Sequence, residues 1–222
     1  MYLSDLSSYN HVLNQRNKLL KDIGFQSGLA ATLDVWDEQL VRYGRSIIES
    51  RHEFIRDIND IIGGIHSSIT GGKEKIELVY EPNVKSGEFY EQLGKNREKD
   101  FKFRNTSSGP HRDDLCVRIN DIDIRKFGSQ GQQRTAALSL KLSEIYLVEK
   151  KIKDVPILLL DDVLSELDAG RQNYLLDSIR NVQTMITCTG LDDFVNKRFE
   201  INKLFKVVEG DSCPLRRPVE NR

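Results

Sequence analysis

The sequence predicts an α/β protein with a helical arm attached, and three observations carry that prediction. Beyond residue 114, helical patterns alternate with short apolar runs, as in a partly parallel sheet. Before it, an apolar seam with steps of three and four runs on as a helix of about 40 residues. The 222 residues are 38% hydrophobic and 30% charged, the balance of a folded, helix-rich chain rather than a disordered one. The expected division is a helical arm or lid with one small strand over 1–104, then an α/β lobe over 105–222.

The first helix is expected over residues 5–22, where Tyr9, Val12, Leu13, Leu19, Leu20 and Ile23 recur at helical spacing before Gly24 and Gly28. The seam follows with Leu29, Leu33, Trp36, Leu40, Tyr43 and Ile47. It slips at Ser50-Arg51 and resumes with Phe54, Ile58, Ile61, Ile65 and Ile69. One such helix would extend roughly 60 Å at 1.5 Å per residue. The alternative is two core helices broken at Ser50 or at Gly63. Gly71-Gly72 should end the pattern in either case.

Alternation of Ile76, Leu78 and Tyr80 with polar neighbours predicts a half-buried strand over 75–81. A polar helical segment (86–100) and a Ser/Gly/Pro loop (105–110) come next. Short strands are expected at Leu115–Ile119 and Ile122–Ile124, a helix at about 132–151, and an apolar run at Pro156–Leu160. A helix over about 169–180 and strands at Thr184–Thr187 and Leu204–Val208 complete the pattern.

Composition excludes several classes. No apolar stretch reaches the roughly 18 residues of a membrane span, and Met1–Asp5 has neither region of a signal peptide. Cys116, Cys188 and Cys213 form no CxxC pair, which speaks against a zinc site or disulfide framework and for a reducing cytoplasm. A net charge of -1 leaves any nucleic-acid contact to a local patch.

Three motifs carry chemistry. Ile157–Leu160 should be a strand buried on both faces, ending in Asp161-Asp162. Carboxylates at the C-terminal end of such a strand sit where open α/β sheets place ligands, and one can hold Mg²⁺ through its retained waters. The bland reading is a buried strand with a solvated acidic turn. Val163–Asp168 follows, with Ser165 and Asp168 in a Ser-x-Leu-Asp turn similar to the D-loop of ABC ATPases, though Asp168 also suits a helix N-cap. Upstream, Phe127-Gly128-Ser129-Gln130-Gly131-Gln132-Gln133-Arg134-Thr135 opens a helix. Hydroxyl, amides and helix dipole there favour an anion, and Ser129 equally suits an N-cap. This loop resembles the ABC signature.

Taken with Gly109–Asp114, these blocks stand in the order found in the RecF family of the ABC/SMC class, which the chain resembles over essentially its whole length. The resemblance implies an ATPase head with an inserted helical arm. It also implies an ATP-dependent homodimer that binds duplex or gapped DNA and acts with RecR and RecO in DNA replication, repair, recombination and the SOS response. Carried over residue by residue, Asp161 would help hold Mg²⁺ and Asp162 would polarise the attacking water. Ser129, Gly131 and Gln132 would reach the γ-phosphate in trans, and Ser165 with Asp168 would couple the subunits. Thr189 falls where many ABC proteins carry a switch histidine, which disfavours a transporter subunit.

Nowhere does the sequence contain G-x-x-x-x-G-K-[ST]. The expectation is that ATP and Mg²⁺ require an N-terminal Walker A lobe and that this chain alone is inactive. A non-catalytic module binding DNA or a partner is the rival class. Lys99, Lys102 and Arg104, beside Phe101 and Phe103, form the most basic stretch, either a solvated helix face or a DNA contact. His111–Asp114, with Arg112, is either a charge-paired turn or a contact to nucleotide or DNA.

Overall fold

A computed structural model describes residues 1–22, 32–188 and 201–215 of the chain. Two compact units divide it, residues 1–147 and 148–222.

In the first unit, α1 (Tyr2–Asp22) and α2 (Leu33–Thr70) pack against each other. The 38-residue α2 is continuous through Ser50 and Gly63-Gly64. Its seam is not free. Leu40, Val41, Ile47 and Ile48 join Tyr9, Val12, Phe89 and Leu93 in one core cluster. Ile58 and Ile62 join Ile76, Leu78, Ile119 and Ile124 in another. The slip at Ser50-Arg51 falls between the two, which is why the heptad pattern changes phase there. Gly71 ends the helix in the left-handed region (φ 64°), donating its N–H to Ser67 O, a conformation that costs any residue with a Cβ.

The strand β1 (Ile76–Glu81) pairs antiparallel with β2 (Asp114–Ile119), and β2 with β3 (Ile122–Asp123). Asn120 (φ 49°) and Asp121 (φ 67°) supply the two positive-φ positions of a tight hairpin. The polar segment expected over 86–100 is instead a 3₁₀ turn at Ser86–Glu88 and two short helices, α3 (Phe89–Lys95) and α4 (Arg97–Phe103). Ile124 leaves the strand for a one-turn helix, α5 (Ile124–Phe127), capped by the Asp123 side chain. The 23-residue α6 (Gln130–Ile152) follows.

The second unit, which begins within the last turns of α6, contains a β-α-β element. β4 (Leu158–Asp161), α7 (Ala169–Ser178) and β5 (Thr184–Thr187) place the two strands parallel, Leu158 opposite Thr184 and Asp161 opposite Thr187. β4 is not buried on both faces as expected: Leu159 is 70% exposed and its cross-strand partner Met185 65%. The reason is local, since among the described residues β4 has β5 alone as sheet neighbour. A hairpin of β6 (Leu204–Val208) and β7 (Asp211–Leu215) follows, turning through Glu209 and Gly210, both at positive φ. β7 escaped the sequence reading because Asp211-Ser212-Cys213-Pro214 has little of a strand's composition.

Candidate nucleotide-facing site

The chemistry-bearing side chains fall into two groups, one in each unit. In the second unit, Asp161 closes β4 and Asp162 begins the turn beyond it, at φ 50°. Thr187, at the matching end of β5, joins them. Its hydroxyl donates to the Asp161 carboxylate and accepts the Asp162 N–H at 3.1 Å. The same N–H lies 3.1 Å from Thr187 O. Both aspartates are exposed at the carboxyl edge of the parallel pair, the side on which such sheets bind ligands. Sequence reasoning missed Thr187 because it looked two residues on. Thr189 itself lies outside the described residues.

A 3₁₀ turn, Val163–Glu166, leads to α7. Asp168 caps that helix, accepting from Arg171 N at 3.0 Å and from Arg171 Nη1 at 2.7 Å. Gln172 Nε2 ties the turn down by donating to Leu164 O and Leu167 O. The backbone of Ser165 lies within this turn.

In the first unit, Ser129 and Gln132 cap α6 reciprocally. Gln132 N–H donates to Ser129 Oγ at 3.2 Å, while Gln132 Oε1 accepts the Ser129 N–H at 3.0 Å. This is a capping box, with Gln three residues after Ser. Gln132 Nε2 donates to Glu74 Oε1 at 3.0 Å, and Gly131 O accepts from Thr135 Oγ1 at 2.7 Å. A Cβ at Gly128 would stand 2.5 Å from Ile124 O, so glycine here serves close packing of α5 against the loop. Ser129 is exposed, and its backbone opens 23 residues of aligned helix.

The Gly109–Asp114 block resolves into two parts. Asp113 accepts from Arg51 Nη1 at 2.8 Å, from Asn83 N at 2.9 Å and from the Tyr80 hydroxyl. His111 Nδ1 lies 2.7 Å from the Tyr9 hydroxyl and Nε2 lies 3.1 Å from Thr106 O. Burial pushes the His111 pKa below its ordinary value and the Tyr9 pKa well above its own. These side chains make a charge-paired turn. Arg112 is exposed and, among the described residues, forms no ion pair, as is true of Lys99, Lys102 and Arg104 on and after α4. Phe103, 65% exposed, lies among them.

Asp161 presents one carboxylate suited to an ion that keeps its waters. Among the described residues no three His, Cys, Asp or Glu side chains gather to hold a metal. A pocket of about 500 Å³ lined by Glu38, Val41, Arg42, Arg45 and Tyr90 contains none of the motif residues.

Fold and motif order define the class: part of an ABC-type ATPase head. No family model matches the chain. The sequence is 60% identical over 212 residues to a DNA replication and repair protein RecF of Lachnospira eligens, covering 95% of this chain and 58% of that protein. It is 58% identical to the RecF of Agathobacter rectalis, with the same two coverages. Two solved structures of a recombination mediator protein RecF, one with ATP and one with ATPrS, align over 97% of the chain at 34% identity. Their TM-scores are 0.84 and 0.83. Over the part of RecF that it spans, the chain belongs to the RecF family. That part is just under three-fifths of its relatives' length. Among the described residues no helix is long and apolar enough to cross a membrane.

Proposed function

We propose that this chain forms the arm (1–104) and the signature-bearing lobe (105–222) of an ATP-dependent DNA-binding switch acting in recombinational repair. The observation that carries it is the Asp161–Thr187–Asp162 cluster at the carboxyl edge of the parallel β4–β5 pair. In the assembled protein, meaning this chain with an N-terminal P-loop lobe, Asp161 would hold Mg²⁺ through water and Asp162 would orient the attacking water. An aspartate stands farther from that water than the longer glutamate would, which suits slow, switch-like hydrolysis. Ser129, Gly131 and Gln132 would face the γ-phosphate of ATP held by a second copy, with Ser165, Asp168 and Thr189 at the same junction. Lys99, Lys102, Arg104 and Arg112 would meet DNA phosphates. RecR and RecO are the partners proposed, in the cytoplasm.

The test is phosphate release by the assembled protein with and without duplex DNA. DNA-stimulated turnover that Asp162→Asn lowers about a hundredfold or more supports the switch. DNA binding with no turnover in the assembled protein leaves a non-catalytic module and overturns the ATPase reading.

A further inference from the structure

We infer that Glu74 is a positioning residue of the signature loop, holding the Gln132 amide closed over the Ser129 N–H until a triphosphate takes its place. The inference rests on the reading above, that this loop meets the γ-phosphate, and it names the group that regulates access to it.

The contacts form one unbroken path. Glu74 lies between the end of α2 and the start of β1. One carboxylate oxygen, Oε1, accepts from Gln132 Nε2 at 3.0 Å. The other, Oε2, is 3.3 Å from Nε2 of His66, a fully buried side chain of α2. His66 Nδ1 in turn lies 2.9 Å from Ser139 Oγ in α6. Glu74 is thereby gripped from behind by α2 and α6, and grips Gln132 in front. Gln132 Oε1 then occupies the Ser129 N–H.

Two consequences follow for an arriving phosphate. Of the donors it needs, the Ser129 N–H and one of the two hydrogens of the Gln132 side-chain NH₂ are already engaged within the chain. A carboxylate also stands one hydrogen bond behind them, at the end of a long helix whose dipole favours the anion. Glu74 therefore opposes what the helix end attracts. Phosphate must displace Gln132 from Ser129, and any shift of the C-terminal end of α2 carries Glu74 with it.

Two variants separate charge from contact. Glu74→Gln removes the charge and keeps an oxygen to accept from Gln132, while Glu74→Ala removes both. Sedimentation of the assembled protein against Mg²⁺–ATPγS should show the midpoint for self-association falling about two- to fivefold in each, the range for one charge beside a helix end. Hydrogen exchange at the Ser129 amide, measured without nucleotide, should quicken in Glu74→Ala. The inference requires both results. A gain in pairing is not what a damaged fold produces, so a midpoint unchanged or raised in either variant overturns it, as does unaltered exchange. If the unsubstituted protein fails to pair with nucleotide, the proposed function falls first, and the exchange measurement still decides whether Glu74 holds the loop.

Discussion

Thr187 and Asp161 face each other across the parallel β4–β5 register, and the Thr187 hydroxyl donates to the Asp161 carboxylate while accepting the Asp162 N–H. One hydroxyl thus fixes both aspartates of the acidic turn. Thr187→Val keeps a β-branched residue in the strand and deletes only that oxygen. A lost hydrogen bond of this kind costs about 1–2 kcal/mol, which is about tenfold in rate where the aspartates must be held for chemistry. Phosphate release by the assembled protein should fall by that factor in Thr187→Val and recover in Thr187→Ser, with a loss of stability no larger than that one hydrogen bond. Equal rates in all three proteins would remove Thr187 from the site.

Ser129 has two roles to separate, helix cap and phosphate contact, and Ser129→Asp does so. Aspartate caps a helix as well as serine does, so stability should change by less than about 0.5 kcal/mol. Its carboxylate would nevertheless face the triphosphate of the other copy. Nucleotide-driven self-association, followed by sedimentation, should therefore be lost while urea unfolding of the chain stays where it was. Pairing that survives the substitution would confine Ser129 to the cap already seen in its bond with Gln132 N–H.

The motifs were legible because each depends on local order. Ser129 and Gln132 sit three residues apart, so the capping box is written in the sequence. Asp168 before Ala169-Gly170 likewise announces the start of α7. The long helix was legible from its seam, and its ending from Gly71. What stayed hidden is set by distance along the chain. Thr187 is 26 residues from Asp161, and Glu74 is 58 from Gln132. Their meeting depends on strand register and on where α2 stops, which no pattern within one element records. The same holds for Arg16, which looks like a solvated helix residue and is fully buried.

Arg16 donates from Nε to Asp37 Oδ1 at 2.6 Å, and from Nη1 to Asp100 Oδ2 and Thr106 Oγ1, each at 2.8 Å. All three acceptors come from different elements, so one guanidinium ties α1 to α2, α4 and the loop beyond. Arg97 gives Asp37 a second cation, whereas among the described residues Asp100 has Arg16 and the Ser107 hydroxyl and N–H. Arg16→Leu would leave a buried carboxylate without its charge partner, a change that typically costs about 3–5 kcal/mol. Arg16→Lys should rescue little, because a point charge cannot serve three acceptors in a fixed fork. Urea unfolding measures both. A loss below about 1 kcal/mol for Arg16→Leu would mean that the network contributes packing alone.

The exposed cations on and just after α4 give the DNA contact its own measurement. Lys99, Lys102 and Arg104 are exposed and, among the described residues, without an ion pair, so each is available to a phosphate. Each phosphate neutralised contributes about 0.9 to the slope of log affinity against log salt on duplex DNA. Replacing all three by Ala should therefore make that slope shallower by about 2–3 and weaken binding most at low salt. Phe103, 65% exposed beside them, adds apolar surface that salt does not screen. Phe103→Ala should lower affinity by a similar factor at every salt concentration and leave the slope alone. A triple variant with the slope of the unsubstituted protein would make this stretch a solvated helix face and send the search for the DNA contact elsewhere, first to Arg112 beyond the loop.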